Sequence, residues 1–435
     1  MEFDLLFCDV TVLTVDEARP VLRHAYLGVT GRKITWLDTN PPQGRARRTL
    51  TAPDYVLLPG FFNTHTHLGM SVLRGYADDY ELDTWLKKYI WPAEAKLTEA
   101  AVTAANALSL AEAIASGTIS FTDMYFFEPQ LAQLCLSAGC MANLSNGAMS
   151  FDQHYDKAAD RAWGEMEVLA RDYHNADGGR IKADAAIHAE YTSHPEVWEA
   201  VSAFAREKGL NVHVHLSETR AEQEACVARY GMTPAALLDK YGVFSTRATA
   251  AHCVHVTPED MDLLAARQVT AVHDPGSNLK LASGIQQTAK LLEKGVNVSL
   301  ATDSACAINT NELFFELKLA AILHKGTELD PALIPAQTAL RLATRNGAFA
   351  QGREQESGML RVGMDADFIA LDFDKPHLLP CHDVVSNVVY AARPTDVCLT
   401  VCKGKVLYEN GQWLTLDIER IKHDVKHIAL PCITG

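Results

Sequence analysis

Between residues 55 and 302 short apolar runs alternate with longer stretches whose apolar residues recur at helical spacing. The runs fall at 55–58, 118–124, 140–146, 181–189, 211–217, 248–254, 269–273 and 296–302. Helices are predicted between them at 98–116, 129–137, 156–173, 195–208, 220–241, 258–266 and 285–293, several after Thr or Ser at a cap position. Eight strands alternating with helices over about 250 residues predict a (β/α)8 TIM barrel. Two further helices are expected at 310–324 and 335–350. The flanks have a different texture. Segments 4–8, 10–14 and 25–29 are strand-like, and 30–33 is a hairpin turn before 34–37. Beyond 357 the β-pattern returns at 363–371 and 397–402, with a turn at 403–405 before 406–408. The two ends therefore predict one small β-sandwich domain, 1–55 with 357–435, beside a barrel domain spanning 56–356.

Composition narrows the class. The 435 residues are 48% hydrophobic and 21% charged, as in ordinary globular proteins. Net charge is −15 with no Lys/Arg-rich run, so a nucleic-acid surface is not expected. No apolar stretch is long enough for a membrane span. The acidic start Met1-Glu2-Phe3-Asp4 lacks a signal-peptide n-region. Ten cysteines without Cys-x-x-Cys spacing read as reduced, mostly buried thiols, and the expected location is cytoplasmic.

The chemistry gathers at strand ends, where barrel active sites lie. Those ends carry His65/His67, Asp123, Asn146, His188, His215/Glu218, His252, His273 and Asp303. Side chains two apart on a strand share a face, so His65 and His67 can share one divalent metal. A His-x-His pair alone is weak evidence, because His213-Val214-His215 is a second one. Both of those histidines face inward. His215 lies nearer the mouth, and His213 is expected one layer down. Taken singly, Asp303 is equally a helix N-cap, Glu218 equally a solvated acid opening the next helix, and His252 equally a core histidine.

The ordered set of motifs resembles the amidohydrolase superfamily, in particular its methylthioadenosine/S-adenosylhomocysteine deaminase branch, which also contains triazine hydrolases. The matching pieces are Pro59-Gly60-Phe61-Phe62-Asn63-Thr64-His65-Thr66-His67, Thr84-Trp85-Leu86, Trp91-Pro92-Ala93-Glu94 and Asp123-Met124-Tyr125-Phe126. His215-Leu216-Ser217-Glu218-Thr219, Ala251-His252-Cys253, Pro275-Gly276-Ser277-Asn278, Thr302-Asp303 and Gly363-Met364-Asp365-Ala366-Asp367 continue the series. By that resemblance His65, His67, His215 and Asp303 hold one divalent metal, zinc. The binuclear members carry a lysine at the end of the fourth strand. This chain has Ile187-His188-Ala189 there, with Lys182 at the wrong end, which implies a mononuclear site. In that chemistry Glu218 protonates a ring nitrogen, while His252 and Asp303 orient water and Asp303 takes its proton. Trp85, Glu94 and His188 match positions that hold the nucleoside, Glu94 pairing with the ribose hydroxyls.

The resemblance implies hydrolytic deamination of an adenine nucleoside (methylthioadenosine, 5′-deoxyadenosine, adenosine or S-adenosylhomocysteine) to the inosine analogue and ammonia. The alternative is hydrolysis of another amino- or halo-substituted heteroaromatic ring, such as guanine, a pterin or a triazine. A catalytically silent barrel used for binding would not need Glu218. The segment after the third strand, 145–157, contains no arginine for a substrate carboxylate, which favours a neutral 5′ group. A small-molecule substrate is the expected partner. Similar proteins are commonly dimers, so a homo-oligomer is expected as well.

Overall fold

The computed structural model describes residues 2–434. Two sheets organise the chain. The terminal sheet contains β1 (Glu2–Leu13), β2 (Val21–Thr30), β3 (Lys33–Asp38), β4 (Arg45–Thr51) and β5 (Tyr55–Pro59). The barrel strands follow as β6 (Phe61–Thr66), β7 (Thr118–Met124), β8 (Met141–Ser145), β9 (Ile181–Ala189), β10 (Asn211–Leu216), β11 (Ala248–His252), β12 (Thr270–His273) and β13 (Asn297–Leu300). The chain then returns to the terminal sheet with β14 (Phe368–Asp372), β15 (Val397–Cys402), β16 (Lys405–Glu409) and β17 (Gln412–Trp413).

The barrel strands are parallel and ordered by sequence from β6 to β13. Bonds between the first and last strands close the ring. Asn63 Nδ2 donates to Thr302 Oγ1 at 2.8 Å, and the Asp303 N–H reaches the His65 carbonyl at 3.1 Å. The terminal sheet runs β17-β16-β15-β14-β5-β1-β2-β3, and β4 joins β1 as a branch. It folds around a core that includes Phe7, Leu27, Val29, Leu57, Phe368 and Val401.

The expected first barrel strand, 55–58, is corrected. Tyr55–Pro59 pairs with β1 and β14 in the terminal sheet, and the barrel begins after Gly60, at Phe61. The apolar run misleads because both of its faces are covered. Leu57 packs into the terminal core, and Val56 and Leu58 pack into the barrel core. Such a run carries no alternation to say which sheet it joins. The strand-like segments 4–8 and 10–14 are one strand, bulged at Asp9, whose φ is +57°.

The helix expected at 220–241 is two helices, Arg220–Tyr230 and Pro234–Lys240. Gly231 ends the first with φ +67°, and Thr233 caps the second ahead of Pro234. The helix expected at 156–173 starts at Arg161, capped by the Asp160 side chain. Residues 68–94, between the first two barrel strands, coil into short helical turns not foreseen in the pattern. No helix among the described residues is long and apolar enough to cross a membrane. All ten cysteines are unpaired and seven are buried.

The barrel floor is sealed by Arg353, which is 1% exposed. Its Nη2 donates to the Ala142 carbonyl at 3.0 Å, Asn143 Oδ1 at 3.1 Å and the Arg180 carbonyl at 3.1 Å, and Nη1 donates to Gly179 O. Lys182 Nζ donates to the Gly352 carbonyl at 2.5 Å on this same floor, at the far end of β9 from His188. Removing a buried charged donor leaves its acceptors unpaired. Arg353→Met is therefore expected to destabilise the fold by about 2–4 kcal/mol, read as a lower urea midpoint.

Candidate active site

The strand ends enclose a cavity of about 400 Å³. His67, His215, Glu218, His252 and Asp303 line it together with Trp85, Glu94 and His188. His65 lies at its base, fully buried. Several strands end by turning into the left-handed region, with φ +48° at Ser217, +69° at His252 and +62° at Asp303. Each costs of order 1 kcal/mol for a non-glycine residue. That cost is held where the side chains must be aimed.

The imidazoles are aimed by their Nδ1 atoms. His67 Nδ1 donates to the Met124 carbonyl at 2.5 Å, and His215 Nδ1 donates to the His188 carbonyl at 2.6 Å. His65 Nδ1 lies 3.0 Å from Nε2 of His213, one layer below. With Nδ1 protonated, each Nε2 of a neutral ring presents a lone pair. His67 Nε2 and His215 Nε2 lie 3.3 Å apart. Two lone pairs at that distance repel unless a cation sits between them. His65 Nε2 is buried with no hydrogen-bond partner. Asp303 Oδ1 stands 3.5 Å from His67 Nε2 and 3.9 Å from His65 Nε2. Ligand atoms around a tetrahedral zinc sit about 3.4 Å apart. The four side chains therefore fit one divalent ion. Burial, followed by the neighbouring imidazoles, pushes His65 and His215 well below the usual histidine range, which keeps their lone pairs free.

Glu218 is buried at the cavity wall, not solvated on the first turn of the following helix. Ser283 Oγ donates to its Oε1 at 3.0 Å, and its Oε2 lies 3.8 Å from His252 Nε2. Glu222 reaches back to accept the Ser217 and Glu218 N–H groups, both at 2.8 Å. Burial raises the Glu218 carboxyl above its usual range. His252 Nδ1 lies 2.9 Å from Asn278 Oδ1 and 3.6 Å from Asp274 Oδ2. Burial pulls His252 down, but Glu218, Asp274 and Asp303 outweigh it and raise it to about 9. A dication beside these acids would reverse that balance. His252 also forms a second close set of possible ligands with His65 and His215. Ser277 Oγ donates to Asp303 Oδ2 at 2.5 Å.

The substrate-binding candidates line the same cavity, His188 with its ring centre 4.7 Å from that of His215. Trp85 is buried, with Nε1 donating to the Ala77 carbonyl at 2.9 Å. Glu94 is half-buried and accepts from Tyr125 Oη at 2.8 Å. Burial lifts Glu94 to about 7. His188 Nδ1 meets Thr192 Oγ1 at 3.1 Å.

Some strand-end residues do not face the cavity. Asp123 accepts from Thr66 Oγ1 at 2.5 Å and from the Leu68 N–H at 2.8 Å, bracing the turn that carries His67. His273 is buried beside His324, ring centres 5.6 Å apart. Asp274, one residue on, takes the site-facing place, a swap that the two-residue pleat makes available.

Sequence reasoning gave no site role to Asp274, Asn278, Ser283, Glu222 or Tyr125, although Tyr125 and Asn278 lie within the matching motifs. It also overlooked Arg161. The 145–157 segment holds no arginine, as read, but Arg161 lies just beyond it and lines the cavity. Its guanidinium stacks 4.3 Å from the Phe126 ring and lies 3.6 Å from Glu165 Oε1. Met149 and Phe151, in the loop before Arg161, line the same cavity, a placement that spacing does not encode.

Comparison with known proteins matches the amidohydrolase family over residues 56–407. A 5′-deoxyadenosine deaminase of Methanosarcina acetivorans is 41% identical over 426 residues, 98% of each chain. A 5-methylthioadenosine/S-adenosylhomocysteine deaminase of Dictyoglomus thermophilum is 42% identical over 378 residues, covering 87% of this chain and 88% of its own. The solved structure of an adenosine deaminase from Xanthomonas campestris with bound zinc superposes with a TM-score of 0.93 at 31% identity, covering 100% of this chain and 99% of the other. On the family match and these near full-length relatives, the chain belongs to the amidohydrolase family.

Proposed function

We propose that this protein is a zinc-dependent deaminase that hydrolyses adenine nucleosides with a neutral 5′ group to the inosine analogue and ammonia. The observation that carries this reading is Glu218, a buried acid 3.8 Å from His252 in the cavity that His67, His215 and Asp303 also line. The relatives named as 5′-deoxyadenosine and methylthioadenosine/S-adenosylhomocysteine deaminases support the substrate class. The zinc-bound adenosine deaminase supports the metal.

His65, His67, His215 and Asp303 would hold the ion. When bound, it supplies the acidity that makes water nucleophilic at neutral pH. Asp303, oriented by Ser277, takes the proton released as water adds to the amine-bearing ring carbon. His252, held by Asn278, hydrogen-bonds to that water and fixes its approach. Glu218 gives its proton to the adjacent ring nitrogen, so negative charge does not build up on the ring. Burial suits Glu218 to this role, because it keeps the acid protonated at higher pH than a solvated glutamate. Collapse of the tetrahedral adduct transfers the proton on Asp303 to the departing amine, and ammonia leaves. The first proton of water thus passes through Asp303 to the amine, the second leaves the adduct hydroxyl for Glu218 and restores that acid, and a carbonyl replaces the amine.

Glu94 lines the same cavity and would accept the ribose hydroxyls, which supports a nucleoside over a free base. Met149 and Phe151 line the wall near Arg161 and suit a methyl or thiomethyl group. Arg161 stacks on Phe126 with its Nε 3.6 Å from Glu165, and it is the cation of this wall that a substrate carboxylate would have to recruit. We place the barrel, to about residue 356, as the catalytic unit and the terminal segments as its support. A reduced, cytoplasmic setting and a homo-oligomer complete the proposal.

Three outcomes are expected. Elemental analysis of clean protein should find about one zinc per chain, and two tightly held ions would overturn the single-ion reading. Glu218→Gln should retain fold and metal yet lose about 10²-fold or more in kcat, measured by ammonia release. Methylthioadenosine and 5′-deoxyadenosine should show higher kcat/KM than S-adenosylhomocysteine. The reverse order would mean that Arg161 leaves Glu165 for the substrate.

A further inference from the structure

Tyr125 directly follows β7 and touches two parts of the site, the turn that carries His67 and the carboxylate of Glu94. Its ring is 5% exposed and stacks on Phe126, centres 4.5 Å apart. On another side it rests against the turn that carries the metal-ligand candidate His67, whose ring centre is 6.4 Å away. The fit there is tight. A Cβ built on Gly69, two residues after His67, would lie 2.5 Å from the Tyr125 ring, so this approach requires glycine. The hydroxyl then donates to Glu94 Oε1 at 2.8 Å. Among the described residues no other side chain hydrogen-bonds to Glu94, which ends a helix of only four residues, Trp91–Glu94.

A carboxylate in that position has two problems. Its side chain has several rotamers, and fixing one costs entropy on every binding event. It also sits against an apolar wall that disfavours charge, and burial lifts it to about 7. One short hydrogen bond from a rigid phenol addresses both. Burial, and then Glu94 itself, pushes the Tyr125 phenol well above its usual range, so it stays a donor at any working pH. Oε1 is thereby anchored, and Oε2 remains free to accept from a ligand hydroxyl.

We propose that Tyr125 is the positioning residue for ribose recognition: it locks the Glu94 carboxylate against the turn that carries His67, so that a nucleoside's 2′,3′-diol is read at a fixed distance from the reacting ring. This rests on the reading of Glu94 as the ribose partner, and the test separates the two. Zinc-loaded wild type, Tyr125→Phe and Glu94→Gln are compared on adenosine and on 2′,3′-dideoxyadenosine by ammonia release. Tyr125→Phe keeps the ring that fills the space beside Gly69 and removes only the hydroxyl. It should lose about tenfold in kcat/KM for adenosine, mostly through KM, and less than about threefold for the dideoxy substrate. Glu94→Gln should show the same substrate-dependent pattern, more strongly. Competitive inhibition by inosine and 2′,3′-dideoxyinosine repeats the comparison at the binding step. Equal losses on both substrates in Tyr125→Phe would assign the residue a packing role and overturn the inference. So would an unchanged adenosine KM beside an impaired Glu94→Gln. If Glu94→Gln itself fails to distinguish the two substrates, the ribose reading of Glu94 falls, and the inference with it.

Discussion

Each histidine at the barrel mouth has its Nδ1 engaged by another group, and this aims every Nε2. The acceptors for His67 and His215 are backbone carbonyls, of Met124 and His188, at the ends of neighbouring strands. For His65 the partner is another imidazole, His213, one layer down. Barrel closure therefore sets the ligand geometry: a shift of one strand relative to the next would move the acceptor and swing the ring. The bonds that tie Asn63 to Thr302 and His65 to Asp303 close that ring at the point where the ligands meet. They position Asp303 as directly as they stabilise the barrel.

A second consequence is electrostatic. The site buries acids and imidazoles together, and the balance between them depends on which is desolvated further. Burial drives His65, His188, His213 and His215 toward the neutral form, whereas Glu218, Asp274 and Asp303 pull His252 the other way. Glu218, Glu222 and Asp274 are all raised by burial in the same region. A cation at the ligand cluster would ease the repulsion among these acids and lower His252. The polar groups form a network whose charges make sense together rather than singly.

The terminal sheet contributes no side chain to this chemistry. It packs beneath the barrel through β5, whose two faces serve two cores, and through Thr400 Oγ1, which donates to the Ile114 carbonyl at 2.8 Å. The chain passes from one sheet to the other through Gly60 alone, where a Cβ would press to 2.6 Å from Ile119. The start of the barrel, and with it the height of His65 and His67, is thus set from below by the sheet that precedes it.

The alternation of apolar runs and amphipathic stretches determined the barrel class, and period and length alone carry that information. The placing of His65, His67, His215, His252 and Asp303 at strand ends was legible for the same reason: strand ends follow from strand positions, and all ends of a parallel barrel face one mouth. Glu218 was legible as a position but not as a role, since a first-turn acid and a cavity acid occupy the same place in the sequence. Only the fold showed that Glu222 and Ser283 turn it inward. Tyr125, Asp274 and Arg161 stayed hidden because their partners are distant in the chain or reached through loops. Periodicity reports which face a residue occupies within its own element, whereas a site depends on what stands opposite, and for this protein only the closed barrel decided that.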